Sequence, residues 1–508
     1  MKKRIFINMA SNNLGRFFEM ALGLLLIPFL IRKLGIKGFG LVVLMESLIG
    51  FFTLASSGLR SALGRYIGIS IFRKNKQDIH EYIATGEMIL LLIVPVVLIA
   101  GFFLQRYFFV LFNVPDAFRG DMRNFIAIMI FTFIFQIAFL ARWSILYSFQ
   151  RFDLMNIYTG VRNIIRCALC FLIYSIFGPK LQYYGYIYLL AAAAEQILAN
   201  RSAVKLFPAR TLQVKYISYP KMKQLFSFMV HRTINSVSGL LYEDTDMLLI
   251  NRFLGPAYNT VYSIALKFGD ILKRLVQKSL WVMVPTFTEL AAKKKHREIE
   301  KLYVSTTKIA SILSIPICVI GILFGKELIR LWVGESFDGA ATVMYVNIIA
   351  TVPIIIFGAT SGVTISHAKI KLPNIITISC AVINVFMSLL FAIKLNMGLV
   401  GFALGTVTAV FIQQVIFNPY YACKVADIDP VMFYRGSFLK PLVLNILFGG
   451  GMYYLKVHAG LPMHYLLVCL VLLILPYVFL CYFFILNDEE KKYWRSSGRG
   501  ADHWGEHC

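Results

Sequence analysis

The chain has 508 residues, of which 58% are hydrophobic and only 15% are charged, a balance far from that of soluble proteins. Its formal net charge of +25 would suit a nucleic-acid-binding protein only if the basic residues covered a solvated surface. The apolar excess excludes that class and indicates an integral membrane protein.

Apolar runs of about 20 residues, the length that crosses a hydrocarbon core of about 30 Å as a helix, recur along the chain. They predict an all-α fold with about fourteen transmembrane helices, at 7–31, 40–62, 83–105, 124–147, 155–178, 183–203, 225–250, 258–286, 304–325, 341–366, 373–394, 398–421, 438–456 and 463–486. Lys and Arg concentrate in the loops on the side of the N-terminus, so the positive-inside rule predicts that both termini are cytoplasmic. The basic residues then lie near anionic lipid head groups, and no nucleic-acid partner is expected.

The sequence repeats itself at an offset of about 220 residues. Gly35 aligns with Gly255 and Lys74 with Lys294, and further similar segments follow in the same order. Six predicted helices separate equivalent points, so the copies share one orientation and form parallel repeats with a substrate path expected between them. The predicted organisation is an N-terminal six-helix lobe at 1–205, a C-terminal six-helix lobe at 206–423, two additional helices at 424–486 and a cytoplasmic tail at 487–508.

Ionisable residues interrupt several predicted helices, although each costs roughly 2.5 to 3.5 kcal/mol if it faces lipid near the bilayer centre. In the seventh and eighth helices they stand mostly three or four residues apart and so share one face. The predicted cavity residues are Arg16, Glu19, Arg162, Arg166, Arg232, Lys267 and Arg274, and the predicted coupling or gating carboxylates are Asp246, Glu243 and Asp270.

Two interpretations of these charges remain open. They either pair statically and lock helices together, or they face a hydrated cavity between the halves. Static pairing seldom repays its desolvation cost, which favours the cavity. The excess of arginine suggests an anionic cargo, because a guanidinium binds phosphate oxygens bidentately. By the repeat, Arg162 and Arg166 correspond to Cys380 and Asn384, so these cations do not belong to the common scaffold.

Cys167 and Cys170 form a C-x-x-C pair inside the fifth predicted helix. Disulfide exchange and metal binding have little access at such a position, whereas small thiols pack well between helices. We therefore expect both cysteines to pack against a neighbouring helix.

The segment "DMLLINRFLGPAYNTVYSIALK" (246–267) places an Asp before an apolar run, then Leu254-Gly255, then the pair Tyr262-Ser263. It resembles the bridge between helices seven and eight in Wzx-type oligosaccharide flippases, a polysaccharide export family of the multidrug/oligosaccharidyl-lipid/polysaccharide (MOP) superfamily. "LGIKGFGLVVLMESLIGFF" (34–52) and "SGLRSALGRYIG" (57–68) are similar to the family's first helix pair. The chain departs from the family pattern in lacking the Gly that usually precedes the Tyr-Ser pair.

The resemblance implies a MATE-like fold, with two six-helix lobes around a central cavity that opens alternately to either side. It also implies transport of undecaprenyl-diphosphate-linked oligosaccharide to the outer leaflet of a bacterial cytoplasmic membrane, for surface polysaccharides such as O-antigen. The implied partners are this lipid-linked substrate, the bilayer, and the glycosyltransferases and polymerase of the same pathway. No cofactor or metal is expected.

Two other functions remain open. A drug or small-solute antiporter of the same fold would favour an acidic cavity for cationic drugs, and the arginines argue against it. A membrane-embedded polymerase or acyltransferase would need a positioned acid, base or nucleophile, usually on a sizeable external loop. The largest predicted external loop, 106–123, offers only Asp116 and Asp121 as acids. We therefore predict a transporter and not an enzyme.

Overall fold

The computed structural model describes residues 2–208, 213–281 and 283–458, together with Tyr477, 479–481 and Phe483. Across these residues the regular elements are helices and none is a strand, which confirms the all-α prediction. Nine helical stretches within them are long and apolar enough to cross a membrane. The number fourteen stays a prediction, and most of the span 463–486 and the whole tail 487–508 lie outside the described residues.

The α-helices are α1 Lys2–Phe72, α2 Lys76–Leu111, α3 Asp116–Ala138, α4 Leu140–Ser148, α5 Phe152–Ile176, α6 Leu181–Leu206, α7 Tyr219–Glu243, α8 Thr245–Phe253, α9 Pro256–Trp281, α10 Val284–Ala292, α11 His296–Val333, α12 Gly339–Ile356, α13 Thr360–Ser366, α14 Lys371–Leu389, α15 Gly398–Val410, α16 Asn418–Ala426, α17 Pro430–Tyr434 and α18 Lys440–His458. Short π-helical segments continue three of them, at Leu390–Lys394, Phe411–Phe417 and Arg435–Leu439. Such irregular turns are tolerated in membrane helices where neighbouring protein satisfies the backbone.

The first two predicted helices are joined in α1, which breaks at Gly35 without an intervening loop. Gly35 has φ 72° and ψ 169°, a conformation that glycine adopts without the steric cost of a Cβ atom. Phe139 interrupts the fourth predicted helix between α3 and α4, with φ −98° and ψ 3°. Phe357 ends α12 in a similar conformation, with φ −89° and ψ 14°. Several predicted spans are therefore built from two helical pieces.

By its contacts the chain forms two compact units. The first consists of Met1–Ser263 with Ser388–Phe402, and the second of Ile264–Met387 with Ala403–Cys508. In the first unit α1 packs on α5 and α7, and α6 packs on α3 and α5. In the second unit α11 packs on α12 and α18, and α10 packs on α13. The predicted boundaries of the two lobes, the additional helices and the tail stay predictions.

Glycines let α1 approach its neighbours closely within the first unit. A Cβ atom added at Gly40 would lie 1.7 Å from the carbonyl oxygen of Pro256, at the start of α9. One added at Gly58 would lie 2.5 Å from the carbonyl oxygen of Met229 in α7. Both distances are impossible for real atoms, so the close packing of α1 on these helices depends on the absence of side chains.

The core of the second unit gathers aromatic rings from α10, α11, α17 and the turn after α12. Tyr303 stacks on Phe433 with ring centroids 4.2 Å apart, and its hydroxyl lies 2.8 Å from Oγ1 of Thr360. Lys456 near the end of α18 forms an ion pair of 2.7 Å with Glu327 of α11. These contacts fasten α17 and α18 to α11.

Two backbone turns recur at the offset found in the sequence. Lys74 after α1 and Lys294 after α10 both have φ 53°, and Gln150 after α4 and Ala368 after α13 both have φ 55°. In all four turns the amide of this residue bonds to the carbonyl three residues earlier, and the next amide bonds to the carbonyl five residues before it. The structure therefore supports the predicted internal duplication.

A side-chain contact recurs in the same way. Ile130 of α3 packs on Gly101 of α2, so that a Cβ atom added at Gly101 would lie 2.9 Å from Cδ1 of Ile130. In the second unit Ile348 of α12 packs on Gly321 of α11, and the corresponding distance is 3.0 Å. The helix pair and this isoleucine–glycine contact thus occur in both units, although at Gly321 the ring of Phe268 would lie closer still, at 2.4 Å.

Candidate functional site

Four predicted site residues have side chains outside the described part of the structure, namely Arg16, Arg232, Glu243 and Arg274. Their roles stay predictions. The remaining six are Glu19, Arg162, Arg166, Asp246, Lys267 and Asp270. Glu19 is half-buried on α1. The other five lie at three separate places: two on α5, one on α8 and two on α9.

Arg162 of α5 forms an ion pair with Glu195 of α6. Its Nη1 lies 3.1 Å from Oε2 of the carboxylate, and the hydroxyl of Thr159 donates to Oε1 at 3.0 Å. The Glu195 side chain is only 4% exposed, whereas that of Arg162 is 27% exposed. The carboxylate is therefore held inside the first unit while part of the guanidinium remains accessible.

Arg166 stands one helical turn further along α5 and is held more loosely. Its Nη1 lies 3.9 Å from Oε1 of Glu46 in α1, and that same oxygen accepts a hydrogen bond of 2.7 Å from the hydroxyl of Tyr184 in α6. Nε of Arg166 is buried and donates no hydrogen bond to any described group. A buried guanidinium N–H without an acceptor is costly, and an anionic ligand could supply one.

These side chains form one group, the α5–α6 charge cluster, defined as Glu46, Arg162, Arg166, Tyr184 and Glu195. Helical spacing explains the assembly: the two arginines are four residues apart on α5, so they share a face and meet neighbours on α1 and α6. The predicted site included the arginines but neither glutamate. An intramembrane carboxylate on another helix was the available signal, although a sequence alone does not pair it with a particular arginine.

The equivalent positions of the second unit carry no charge. Cys380 and Asn384 of α14 are both buried, and Oδ1 of Asn384 accepts a hydrogen bond of 3.2 Å from the hydroxyl of Thr406. A neutral thiol and a neutral amide thus occupy the places that correspond to the two arginines of the first unit. This agrees with the sequence-based inference that the arginines do not belong to the common scaffold.

Among the predicted gating carboxylates, Asp246 is buried and its carboxylate has hydrogen-bond partners on other helices. It lies in the first turn of α8 and is 2% exposed. Tyr262 donates its hydroxyl proton to Oδ2 at 2.9 Å, and Ser388 donates to Oδ1 at 3.4 Å. The α8 N-terminus also favours a negative charge because its backbone N–H groups lack helical partners. The carboxylate is therefore buried but solvated by protein dipoles.

The predicted stripe on the eighth helix is placed on α9. Asp270 forms an ion pair with Lys273, with 3.2 Å between Oδ1 and Nζ, and Lys267 is half-buried one turn earlier. The partner of Asp270 is therefore a lysine that the predicted stripe did not include. This pair is half-exposed, and such pairs contribute little to stability.

A buried ion pair that sequence reasoning missed joins α4 and α2. Nη2 of Arg142 lies 3.5 Å from Oε1 of Glu87, and the two side chains are 4% and 6% exposed. Beside it, the indole of Trp143 donates to Oε1 of Gln196 at 2.7 Å. In the sequence, Arg142 is a single arginine near the end of a predicted helix, and nothing in that pattern predicted that its side chain is buried. Such a pair is costly to break from one side, so we regard it as a positioning element of the first unit.

Cys167 and Cys170 are both buried in α5 as free thiols. Sγ of Cys167 lies 3.8 Å from the carbonyl oxygen of Leu22 in α1. The expected packing of this pair against a neighbouring helix is confirmed for Cys167.

Two protein families match the sequence. The family described as "Polysaccharide biosynthesis protein" matches residues 5–291, and the family described as "MatE" matches residues 234–390. The first match covers more than half of the chain.

Individual relatives are distant but match along most of their length. The membrane protein EpsK of Bacillus subtilis is 23% identical, over 85% of this chain and 85% of its own length. The probable low-salt glycan biosynthesis flippase Agl15 of Haloferax volcanii is 23% identical over 81% and 82%. The putative O-antigen transporter of Shigella flexneri is 22% identical over 83% of this chain and 100% of its own length.

Solved structures share the fold. The lipid II flippase MurJ in an inward closed conformation aligns with a TM-score of 0.69 at 17% identity, over 93% of this chain and 98% of that one. An inward-facing multidrug resistance MATE family transporter of the MOP superfamily aligns with a TM-score of 0.69 at 13% identity, over 83% and 99%. At these identities the likeness shows the fold alone, and it confirms the MATE-like architecture.

Proposed function

Because the chain belongs to the polysaccharide biosynthesis protein family of the MOP superfamily, we propose that it is a flippase that carries a lipid-linked oligosaccharide across the cytoplasmic membrane. Relatives whose names state a function are flippases or transporters, and none of these is named as an enzyme. The substrate that fits this class is an undecaprenyl-diphosphate-linked oligosaccharide for a cell-surface polysaccharide. Its glycosyltransferases and polymerase would be the functional partners.

The observation that carries the proposal is the incomplete hydrogen bonding of Arg166. Its Nε is buried without an acceptor and its nearest carboxylate oxygen is 3.9 Å away, so its guanidinium can bind a further anion. A diphosphate offers several oxygens in the geometry that a guanidinium fork prefers. Arg162 presents a partly exposed guanidinium one turn away. Together they suit the doubly charged linkage between a polyprenyl chain and a sugar.

In this proposal transport proceeds by alternating access, with the cargo's diphosphate held by arginines while its lipid tail stays in the bilayer. Asp246 is the proposed coupling or gating group, because a buried carboxylate that accepts hydrogen bonds from the hydroxyls of Tyr262 and Ser388 responds to a proton, a cation or a change of hydration. The other predicted residues, Glu19, Lys267 and Asp270 among the described ones, stay proposals for the lining of the path. A small-solute antiporter remains the second candidate, and the two arginines disfavour a cationic substrate.

The test replaces Arg166 with Gln in cells whose surface glycan depends on this protein. Loss of a charge-assisted contact of about 1.5 to 3 kcal/mol predicts at least a tenfold drop in glycan export at normal protein abundance. Arg166→Lys keeps the charge but not the fork, so we expect partial export. Arg119→Gln is the matched control, since Arg119 forms an exposed ion pair with Asp116 near the start of α3 and lies over the ring of Phe109, away from the charge cluster.

A double variant separates substrate binding from structure. If Arg166 merely balances Glu46, then Arg166→Gln combined with Glu46→Gln restores both abundance and export. If Arg166 binds the cargo, the double variant is abundant and export stays low. Full export by Arg166→Gln alone would contradict the proposal.

A further inference from the structure

A cavity of about 440 Å³ lies away from the α5–α6 charge cluster, at the ends of helices in the first unit. Its lining comes from the last two turns of α1 and the first three turns of α7: Tyr66, Pro220, Lys223, Gln224, Ser227 and Phe228. These helix ends adjoin loops that the charge distribution predicts to be cytoplasmic. In that predicted orientation we expect the cavity at the depth of the lipid head groups on the cytoplasmic side.

The lining combines cations with aromatic faces. Tyr66 and Phe228 meet edge to face, with ring centroids 6.0 Å apart. The guanidinium of Arg65 lies over both rings, at 5.6 Å and 5.1 Å from their centroids. Lys223 is exposed at the cavity, and none of the six lining residues is acidic. This surface therefore attracts an anion, and it is bordered by two aromatic rings against whose faces protein groups already lie.

Neighbouring contacts hold the cavity in shape. The hydroxyl of Tyr82 at the start of α2 donates to Oε1 of Gln224 at 2.7 Å, and the Tyr82 ring stacks on Tyr66 at 5.3 Å. Lys221 forms ion pairs with Asp78 and with Glu81, the latter at 2.8 Å. These carboxylates neutralise Lys221 and not Lys223. The lysine at the cavity thus remains available to a ligand.

We propose that this cavity is a docking site for the sugar-phosphate head of the lipid-linked cargo at the cytoplasmic membrane surface, occupied before the cargo reaches the arginines of α5. Lys223 and Arg65 bind the phosphate, and the parts of the Tyr66 and Phe228 rings that line the cavity contact the first sugar. The inference rests on the proposed function, and it adds the place at which the cargo is recognised. An ordinary phospholipid has the phosphate but lacks the sugar.

The experiment measures binding to the full chain in phosphatidylcholine nanodiscs by fluorescence anisotropy. The probe is dye-labelled farnesyl diphosphate carrying N-acetylglucosamine, and the comparison probe is the same molecule without the sugar. Lys223→Gln should weaken binding of both probes about tenfold, as expected for a lost charge-assisted phosphate contact. Tyr66→Leu should weaken only the sugar-bearing probe, by about threefold, as expected for a lost ring contact.

Lys215→Gln is the matched control, because Lys215 is exposed in the preceding loop and contacts the ring of Tyr216 outside the cavity. Monodisperse elution of each variant shows that it is folded. Equal affinities of all variants and the wild type overturn the docking site. Equal binding of both probes, unaffected by Tyr66→Leu, overturns the sugar part and identifies a general phosphate head group.

The same variants distinguish this inference from the proposed function. If the wild type moves the sugar-bearing probe across proteoliposomes and Lys223→Gln moves it equally well at low probe concentration, the docking site is wrong and the flippase stands. If the wild type binds the probe but never moves it, the flippase proposal fails and the docking site stands. Absence of binding to the wild type contradicts both.

Discussion

Asp246 is a buried acid whose carboxylate accepts hydrogen bonds from residues that are distant along the chain. Its hydrogen bonds come from Tyr262, sixteen residues along the chain, and from Ser388, which is distant in sequence. Ser388 also donates to the carbonyl oxygen of Phe402 at 3.2 Å, so its hydroxyl is shared between two acceptors. Any rearrangement of the segment 388–402 changes the hydrogen bonding of the carboxylate. The acid is thus coupled to a second part of its unit.

We expect Asp246→Asn to abolish or strongly reduce glycan export while protein abundance stays near normal. Asn keeps the size of the side chain and can still bond to both hydroxyls, so folding changes little, whereas the charge that a coupling role requires is gone. Quantitative glycan staining and immunoblotting of the same cells give the two readouts. Asp116→Asn, at an exposed side chain, controls for the substitution itself. Wild-type export by the Asp246 variant would show that its charge is dispensable.

The residue scale also marks the limit of prediction from sequence. The spacing of Arg162 and Arg166 follows from helix geometry, so their common face was predictable. Their partners Glu46 and Glu195 lie on other helices, and helix-to-helix pairing depends on tertiary packing that periodicity does not encode. Lys273 was missed as the partner of Asp270 because Lys273 and Arg274 lie three and four residues after the acid, and helical spacing alone does not choose between these two neighbours.

At the scale of helices, packing in the first unit depends on missing side chains. Gly40 and Gly58 lie on α1 at points of close approach to other helices. A Cβ atom added at either glycine would lie closer to a backbone carbonyl oxygen of another helix than van der Waals contact allows. In membranes, where burial of apolar surface between helices gains little over lipid, such close approach is a main source of association energy. The two glycines therefore contribute to the association of α1 with its neighbours, although they carry no side chain.

We expect Gly40→Ala to lower the free energy of unfolding by about 1 to 3 kcal/mol, since the added methyl group would overlap the carbonyl of Pro256 and force α9 away. Gly68→Ala on the same helix is the matched control, because nothing lies within 4 Å of its added Cβ atom. At that position Ala should leave the free energy of unfolding unchanged or raise it by about 0.5 to 1 kcal/mol, because Ala has a better helix propensity than Gly. Thermal unfolding in detergent measures both, and equal shifts would contradict the packing argument.

The positions of helices were more predictable than their ends and breaks. Hydropathy finds apolar runs, and these runs correspond to helices throughout the described residues. It separates the first two helices at 32–39, but it does not show that the backbone passes through this segment with a break at Gly35 alone and no loop. Nor does hydropathy find the interruption of the helix at Phe139, because an apolar residue at the interruption leaves the apolar run continuous.

For the whole molecule, duplication and divergence act on different features. The turns at Lys74 and Lys294 and the contacts of Gly101 and Gly321 are repeated, whereas the charge cluster of α5 and α6 has a neutral counterpart in the second unit. Backbone turns and close helix contacts constrain folding in both copies. Under the proposed function, one set of charges is enough to bind one cargo.

The topology follows from loop charge, and it can be tested by labelling. In a cysteine-free background, an impermeant maleimide added to intact cells should react with Lys180→Cys and Glu335→Cys but not with Lys215→Cys or Lys294→Cys. All four positions are exposed, so accessibility to solvent does not distinguish them and only the side of the membrane does. Permeabilised cells should label all four. Reaction of the last two in intact cells would reverse or break the predicted orientation.

The recurring turns at Lys74 and Lys294 also bear on how the chain enters the membrane during synthesis. A left-handed residue with a side chain costs roughly 1 to 2 kcal/mol, which glycine would avoid, yet a lysine occupies both turns. A glycine there would carry no charge to retain the loop on the cytoplasmic face as the helices insert. In the predicted orientation, the lysines thus combine local backbone strain in the folded protein with a topogenic charge that acts before the protein has folded.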